Sequence, residues 1–510
     1  MGSKFAWALV GMAATAVAVG VGEVAAGLLG STSAIAAVGA LVIALQPPGA
    51  KDFMTSLFGT NDKLALEVAV FIGGVLLGGV LGLVGRIDRR IAYAGFVVVG
   101  LVGLVLILQD PLEDIVPGVI TVGAAVAAGI AMFQWLASML LPSTANRASG
   151  KGVTMPRRGF LAIAGTFVAV GAILSVVGRV LGSQAPASPS TGPVAIPPPK
   201  QTVPPSPAGS DFAIDGLTPV VVSNDDFYLI DTRLSTPHLD TTSWSLRIHG
   251  MVNNEVTLTY DQLVAMPLVE QFVTIACVSN EVGGHLVGNA KWTGVNLNSV
   301  LAMAGVQPAA TQVVGRSYDG WTSGFPTEHL SGAGKDAMIV VQMNGDPLPA
   351  RHGYPARMIV PGLYGYVSAT KWVTEIELTT LEAYDAYWVR LGWAKEGPIL
   401  TQSRIDLPRL GQSVPNGQVL VAGVAWAPTR GISKVEVDVD VDGNWRECQL
   451  SQPLSNYTWV QWQISLGMSP GRHTLRVRAT DGTGTVQDAT PTPPAPDGAR
   501  GYHTVSISAT

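Results

Sequence analysis

Thr274-Ile275-Ala276-Cys277-Val278-Ser279-Asn280-Glu281-Val282-Gly283-Gly284 is the stretch on which the reading of this chain turns. It opens as an apolar run of strand character and ends in a polar, glycine-rich turn. Cys277 falls where strand gives way to loop, a position from which a side chain reaches a ligand. The other cysteine, Cys448, lies far along the chain in sequence of another kind. Two cysteines give no disulfide framework, and a Cys277–Cys448 bridge would have to join domains of different character. A thiolate suits soft metals, yet no second cysteine or paired histidine stands close enough to complete a zinc or iron–sulfur site. From the residues alone, three readings of Cys277 stand. It is a buried inert thiol, a nucleophile, or the one protein ligand to a metal whose other ligands come from an organic cofactor.

The 510 residues suggest about three or four domain-sized units. A net charge of −5 marks no nucleic-acid surface. The charged fraction of 13% is about half that of a typical soluble domain. That deficit is local, because residues 1–182 are dominated by Ala, Val, Gly, Leu and Ile. About five spans of membrane-crossing length are expected there: Phe5–Leu29, Leu64–Val84, Ile91–Leu108, Ile115–Leu141 and Phe160–Leu181. Ala34–Leu45 is apolar but short and is expected to be re-entrant or interfacial. Arg86, Arg89 and Arg90 fall in one short loop, and Arg147, Lys151, Arg157 and Arg158 in another. The intervening loop carries Asp110, Glu113 and Asp114. This asymmetry places the N-terminus in the cytoplasm and everything beyond Gly182 outside the cell membrane. Met155-Pro156-Arg157-Arg158-Gly159-Phe160-Leu161 resembles a twin-arginine export signal, here internal. All seven histidines stand at residue 238 or later, so no haem ligated by histidine is expected within the anchor.

Residues 183–210 read as a Pro-rich, extended linker without chemistry of its own. Residues 211–411 mix β-branched runs with short helices and read as an α+β domain. Residues 412–510 alternate in short strands and read as an immunoglobulin-like β-sandwich, with Trp426, Trp445, Trp459 and Trp462 in its core or interface. Cys448 is expected on a strand of that sandwich.

Downstream of Cys277 come Gly288-Asn289-Ala290-Lys291-Trp292-Thr293-Gly294-Val295, Met343-Asn344-Gly345-Asp346-Pro347-Leu348-Pro349, His352-Gly353-Tyr354-Pro355-Ala356-Arg357, Val360-Pro361-Gly362 and Thr370-Lys371-Trp372. In order and spacing the series resembles the sulfite oxidase family of molybdenum enzymes, from about Ile214 to the C-terminus. The resemblance takes in Gly397–Ile405, the bridge into a segment that looks like the family's dimerisation domain. It implies a molybdenum–molybdopterin cofactor, with Cys277 as the single protein ligand to the metal. It implies that His352 and Arg357 contact the cofactor phosphate or pterin, and that Ser317, Ser368, Ala369, Thr370 and Lys371 complete the pocket. Arg357 suits a bidentate grip on phosphate, and Lys371 adds a point charge.

This chain also departs from the family's pattern. Asn224-Asp225-Asp226 stands where the family has Arg-Asn-His and is expected to line the cofactor with inverted charge. Cys277 is followed by Val278-Ser279-Asn280-Glu281-Val282 rather than Ala-Gly-Asn-Arg-Arg, and Trp393 takes the place of a tyrosine. Asn280, Glu281 and Trp393 are therefore expected on the substrate side. Sulfite is a small dianion that calls for several positive donors. A sulfoxide or N-oxide is as compatible with these residues as sulfite.

The expected function is two-electron oxygen-atom transfer on a small molecule, with electrons exchanged with a redox partner protein or a quinone at the membrane. Homodimerisation through the C-terminal domain is what the family implies. Two other classes remain open: a membrane-tethered scaffold with a degenerate cofactor domain, and a thiol enzyme using Cys277 with His285 as base.

Overall fold

The computed structural model describes residues 4–45, 62–109, 113, 115–140, 157–184, 196–230, 232, 236, 237 and 239–510. The chain forms two compact units. The N-terminal unit is helical: α1 (Lys4–Leu29), α2 (Ala34–Leu45), α3 (Asp62–Gly85), α4 (Arg89–Ile107), α5 (Ile115–Leu140) and α6 (Arg157–Gln184). All but α2 are long and apolar enough to cross a membrane. α2 has 12 residues and is too short to do so. α1 is the central helix, with α3, α5 and α6 packed against it. Glycines allow the close approach: a Cβ on Gly11 would strike the backbone of Gly78 and Gly82, and one on Gly20 the backbone of Gly171. Such contacts supply the van der Waals packing that holds apolar helices together where lipid offers no hydrophobic drive. Glu23 of α1 is buried, and Arg179 of α6 pairs with Glu67 of α3. Arg157 and Arg158 open α6. The rest of the expected export motif up to Pro156, and Arg147 and Lys151, lie outside the described residues.

The second unit begins with two sheets joined by short helices. In the first the strand order is β2 (Val256–Thr259), β1 (Ser245–Gly250), β10 (Val373–Thr379), β5 (Gln312–Ser317), β6 (Thr322–Pro326). In the second, β3 (Leu268–Ala276) pairs with β4 (Val287–Asn296), β4 with β7 (Met338–Met343), and β7 with both β8 (Asp346–Pro347) and β9 (Arg357–Ile359). β3 and β4 form a hairpin in register from Leu268↔Val295 to Ala276↔Val287, and loop 277–286 joins them. Local signals start and stop the helices. Thr259 and Gln262 form a capping box on α7 (Tyr260–Ala265). Asn296 caps α8 (Leu297–Ala304), which ends at Gly305 with φ 68°.

Lys200 and Gln201, expected within the extended linker, pair with β3. Lys200 N–H donates to the Leu268 carbonyl at 2.8 Å, and Glu270 N–H donates to the Gln201 carbonyl at 2.8 Å. β3 is an edge strand whose outward backbone groups need partners, and this segment supplies them.

The C-terminal part is two packed sheets. One runs β11 (Gln402–Leu407), β13 (Gly417–Trp426), β17 (Val460–Met468), β16 (Gln449–Leu450). The other runs β12 (Ser413–Val414), β19 (His503–Ala509), β18 (Gly471–Asp481), β14 (Ile432–Val439), β15 (Arg446–Glu447). Val421, Trp462, Val437, Val477 and Ile507 meet in the core between them. β11 belongs to this layer, so the sandwich begins before residue 412 and takes in the stretch read as a bridge. Cys448 is buried in the same core, in the break between β15 and β16 rather than on a strand. Trp426, Trp459 and Trp462 are fully buried. Trp445 is not part of the core; the guanidinium groups of Arg476 and Arg478 lie 5.4 and 4.1 Å from its ring.

Candidate active site

β3 ends at Ala276, and Cys277 opens the loop. Cys277 N–H donates to the Leu286 carbonyl at 2.9 Å, which closes the loop at its base. Asn280 N–H donates back to the Cys277 carbonyl at 3.1 Å, making a turn of Cys277-Val278-Ser279-Asn280. The Asn280 side-chain oxygen then accepts from Leu286 N–H at 2.7 Å. Val278 is buried and anchors the turn, while Cys277 itself is half-buried. Its Sγ lies 2.9 Å from Ser279 Oγ.

The far side of the loop is held by the sandwich. Gly283 has φ 79° and lies against the ring of His503, where a side chain would collide. His503 Nδ1 accepts from Ile405 N–H at 3.0 Å. Arg404 is 2% exposed and donates from Nη1 to the Gly284 carbonyl at 2.8 Å, from Nη2 to Thr218 Oγ1 at 2.7 Å and from Nε to Asp406 at 2.6 Å. One buried guanidinium thus joins three separate segments.

Tyr228 lies within electrostatic reach of both Cys277 and Arg357, which belongs to a second cluster. Desolvation pushes its phenol well above the ordinary tyrosine range, the Cys277 thiol adds to this, and Arg357 opposes it. Phe227 stacks on Tyr228 with ring centroids 5.2 Å apart, and its ring lies 5.8 Å from both Trp292 and His352. Arg357 is buried, donates to the His352 carbonyl at 3.3 Å and sits 5.5 Å from the Trp292 ring. His352 is 1% exposed, and its Nε2 lies 2.8 Å from the Asn224 carbonyl, so Nε2 carries the proton and donates. Burial, reinforced by Arg357, holds its imidazole down to about 4, leaving a neutral ring. Nδ1 of that ring is buried and has no hydrogen-bond partner among the described residues.

Gly353 touches both Lys371 and Arg357, bringing the two cations to one wall. Lys371 Nζ donates to the Arg351 carbonyl at 3.0 Å. Thr370 Oγ1 lies 2.7 Å from Ser323 Oγ, and Ser368 Oγ donates to the Tyr364 carbonyl at 2.9 Å. Ala369 ends the short helix α9 (Gly365–Ser368), its N–H donating to the Gly365 carbonyl at 2.9 Å. Ser317 Oγ is buried and, like His352 Nδ1, has no partner among the described residues. Burial pushes Tyr364 up to about 12, and the nearby Cys277 thiol adds to the shift.

Several of the expected residues take other places. Asp225 and Asp226 are exposed, and Asp226 closes a turn with Ser223, accepting from its Oγ at 2.7 Å. Asn224 contributes its carbonyl to His352, while its side chain bonds Asn344 and the Met343 carbonyl. Glu281 is exposed at the loop rim. Asn280 is spent on the loop itself. Trp393 packs on Tyr366 with centroids 6.0 Å apart. His285 is exposed, with Arg404, Asp406 and Arg409 as its charged neighbours. Sequence reasoning missed Tyr228, Ser279, Tyr364, Arg404 and His503. Ser279 and Arg404 stand inside stretches already singled out, but nothing local marks the others.

A phosphate-bearing pterin needs buried cations, hydroxyl donors and an acceptor for its ring N–H groups. Arg357, Lys371, Ser317 Oγ and the bare Nδ1 of His352 are that set, so the residues fit the group.

Comparison with known proteins agrees with this class. Residues 233–388 match the oxidoreductase molybdopterin binding domain, and residues 399–494 match the Mo-co oxidoreductase dimerisation domain. The chain is 26% identical over 328 residues to mitochondrial sulfite oxidase of Homo sapiens, covering 54% of this chain and 59% of that one. It is 31% identical over 158 residues to the uncharacterized oxidoreductase YuiH of Bacillus subtilis, covering 31% of this chain and 76% of that one. Among solved structures it is similar to the sulfane dehydrogenase SoxCD of Paracoccus pantotrophus, with 23% identity and a TM-score of 0.48 over 56% of this chain and 81% of that one. The two matches make this a molybdopterin-binding oxidoreductase domain followed by a dimerisation domain of β-sheets. The chain belongs to the sulfite oxidase family. It spans 59% of the length of the human mitochondrial relative.

Proposed function

We propose that this protein is a membrane-anchored molybdopterin oxidoreductase that moves an oxygen atom to or from a small substrate in a two-electron reaction. The observation that carries the reading is Cys277, half-buried where β3 gives way to the loop, with Cys277 and the buried Arg357 both within electrostatic reach of Tyr228. Molybdenum, when bound, supplies the two-electron redox chemistry. Cys277 would hold the metal. Arg357, Lys371, Ser317, His352 and the backbone at Ser368, Ala369 and Thr370 would hold the pterin and its phosphate. At neutral pH His352 accepts at Nδ1, and Tyr228 keeps its proton.

Loop 277–286 carries no lysine or arginine, and its one carboxylate is Glu281. That supports a neutral sulfoxide or N-oxide at least as well as sulfite. The apolar helices support an anchor with a cytoplasmic N-terminus and the oxidoreductase domains outside the membrane, exchanging electrons with a redox partner protein or quinone. A homodimer through the sandwich belongs to the same proposal.

The test is metal and pterin analysis of the purified full chain and of Cys277→Ser, followed by assays of sulfite oxidation and sulfoxide reduction. Stoichiometric molybdenum in the wild type and its loss from a folded Cys277→Ser support the reading. Unchanged metal and turnover in that variant overturn it.

A further inference from the structure

We infer that Ser279 is a positioning residue that sets the electronic character of the Cys277 sulfur by donating a hydrogen bond to it. The inference rests on Cys277 being the metal ligand. Ser279 Oγ lies 2.9 Å from Cys277 Sγ. A thiolate has no proton, so once Cys277 binds a metal the hydroxyl is the only donor in that pair.

The geometry is not left to a loose side chain. Ser279 occupies the third position of the turn closed by Asn280 N–H to the Cys277 carbonyl. The residue before it, Val278, is 4% exposed, and the residue after it clasps Leu286 N–H. Beyond that, Arg404 holds Gly284 and His503 packs on Gly283. Burial holds Val278, the loop's own backbone holds Asn280, and the sandwich holds Gly283 and Gly284, so the turn that carries the hydroxyl is braced on several sides. Hydrogen bonds to ligand atoms orient them and tune the metal, and hydrogen bonds to sulfur shift the potentials of metal–thiolate sites. A donor on the sulfur withdraws electron density from it. That weakens its donation and favours the more electron-rich, reduced metal.

The experiment compares cofactor-loaded full chain as wild type, Ser279→Ala, Ser279→Thr and Cys277→Ser. Two quantities are read besides turnover: the midpoint potential of the metal couple and the energy of the thiolate-to-metal charge-transfer band. Ser279→Ala is expected to move the potential to more negative values and the band to lower energy, while Ser279→Thr, which keeps the hydroxyl, stays with the wild type. Loss of metal from Ser279→Ala with normal loading of Ser279→Thr supports the same conclusion. If the alanine and threonine variants behave alike, in either observable or in metal loss, the role of the hydroxyl is overturned. If Cys277→Ser retains the metal and the band, it is the ligand assignment that falls.

Discussion

Arg404 Nη1 donates to the Gly284 carbonyl at 2.8 Å, tying the strand that opens the sandwich to the loop that begins at Cys277. The same side chain forms a buried ion pair with Asp406, both partners being 5% exposed or less. Truncation would strand the carboxylate in a dry site. Arg404→Ala should destabilise the folded chain by about 3–5 kcal/mol, and Arg404→Lys should restore only part of this because one ammonium cannot reach three acceptors. Urea unfolding of the three proteins checks it.

Gly283→Ala meets two obstacles at once, a φ of 79° and the ring of His503. The backbone strain alone costs about 1–3 kcal/mol. Adding His503→Ala opens the space but leaves the strain, so the double variant should recover part of the lost stability. A double-mutant cycle on thermal unfolding measures the coupling.

Asn280 and Glu281 are neighbours in sequence with opposite expected effects. Asn280→Ala removes the acceptor of Leu286 N–H and should cost about 1–3 kcal/mol. Glu281 is exposed, and Glu281→Gln should leave stability within about 0.5 kcal/mol of wild type. Equal losses in both variants would contradict the assigned geometry.

Burial, with Arg404 adding, holds His503 down to about 4, and His352 is held at about 4 by burial and Arg357. The unfolded chain takes up these protons near pH 6.5 and the folded chain only near pH 4. Between those values the unfolded state binds more protons, so stability falls as the pH falls. Each group should contribute a loss on the order of 2–3 kcal/mol across that window and nothing above it. Unfolding free energies measured from pH 8 to pH 4 should show this slope, and His503→Gln should flatten it.

The two thiols differ in reach. Cys448 is buried in the sandwich and pushed up to about 12 by that burial, whereas Cys277 is half-buried at a loop. Native, metal-free protein treated with iodoacetamide should therefore be labelled at Cys277 and not at Cys448. Peptide mass mapping before and after denaturation checks the order.

Much of this was legible in the sequence because it depends on neighbours in the chain. A run of apolar residues as long as a bilayer is thick is a helix wherever it occurs, and the N-terminal helices follow the expected bounds closely. Apolar strand followed by polar turn placed Cys277 at the end of β3, and Asn296 and Gly305 bracketed α8. The order of the Gly, His, Arg and Lys motifs resembles that of a molybdopterin-binding domain, and the match over residues 233–388 agrees. What no local pattern carries is the identity of partners distant in sequence. Ser279 and Asn280 look alike as loop residues, yet packing turns one toward sulfur and the other into the loop's own backbone. β11 reads as a connector until its hydrogen bonds to β13 make it a strand of the sandwich. Arg404 and His503 come to the Cys277 loop only because the sandwich folds back on it. A hydrogen bond acts over about 3 Å in space, and only the tertiary fold decides which residues come within that distance.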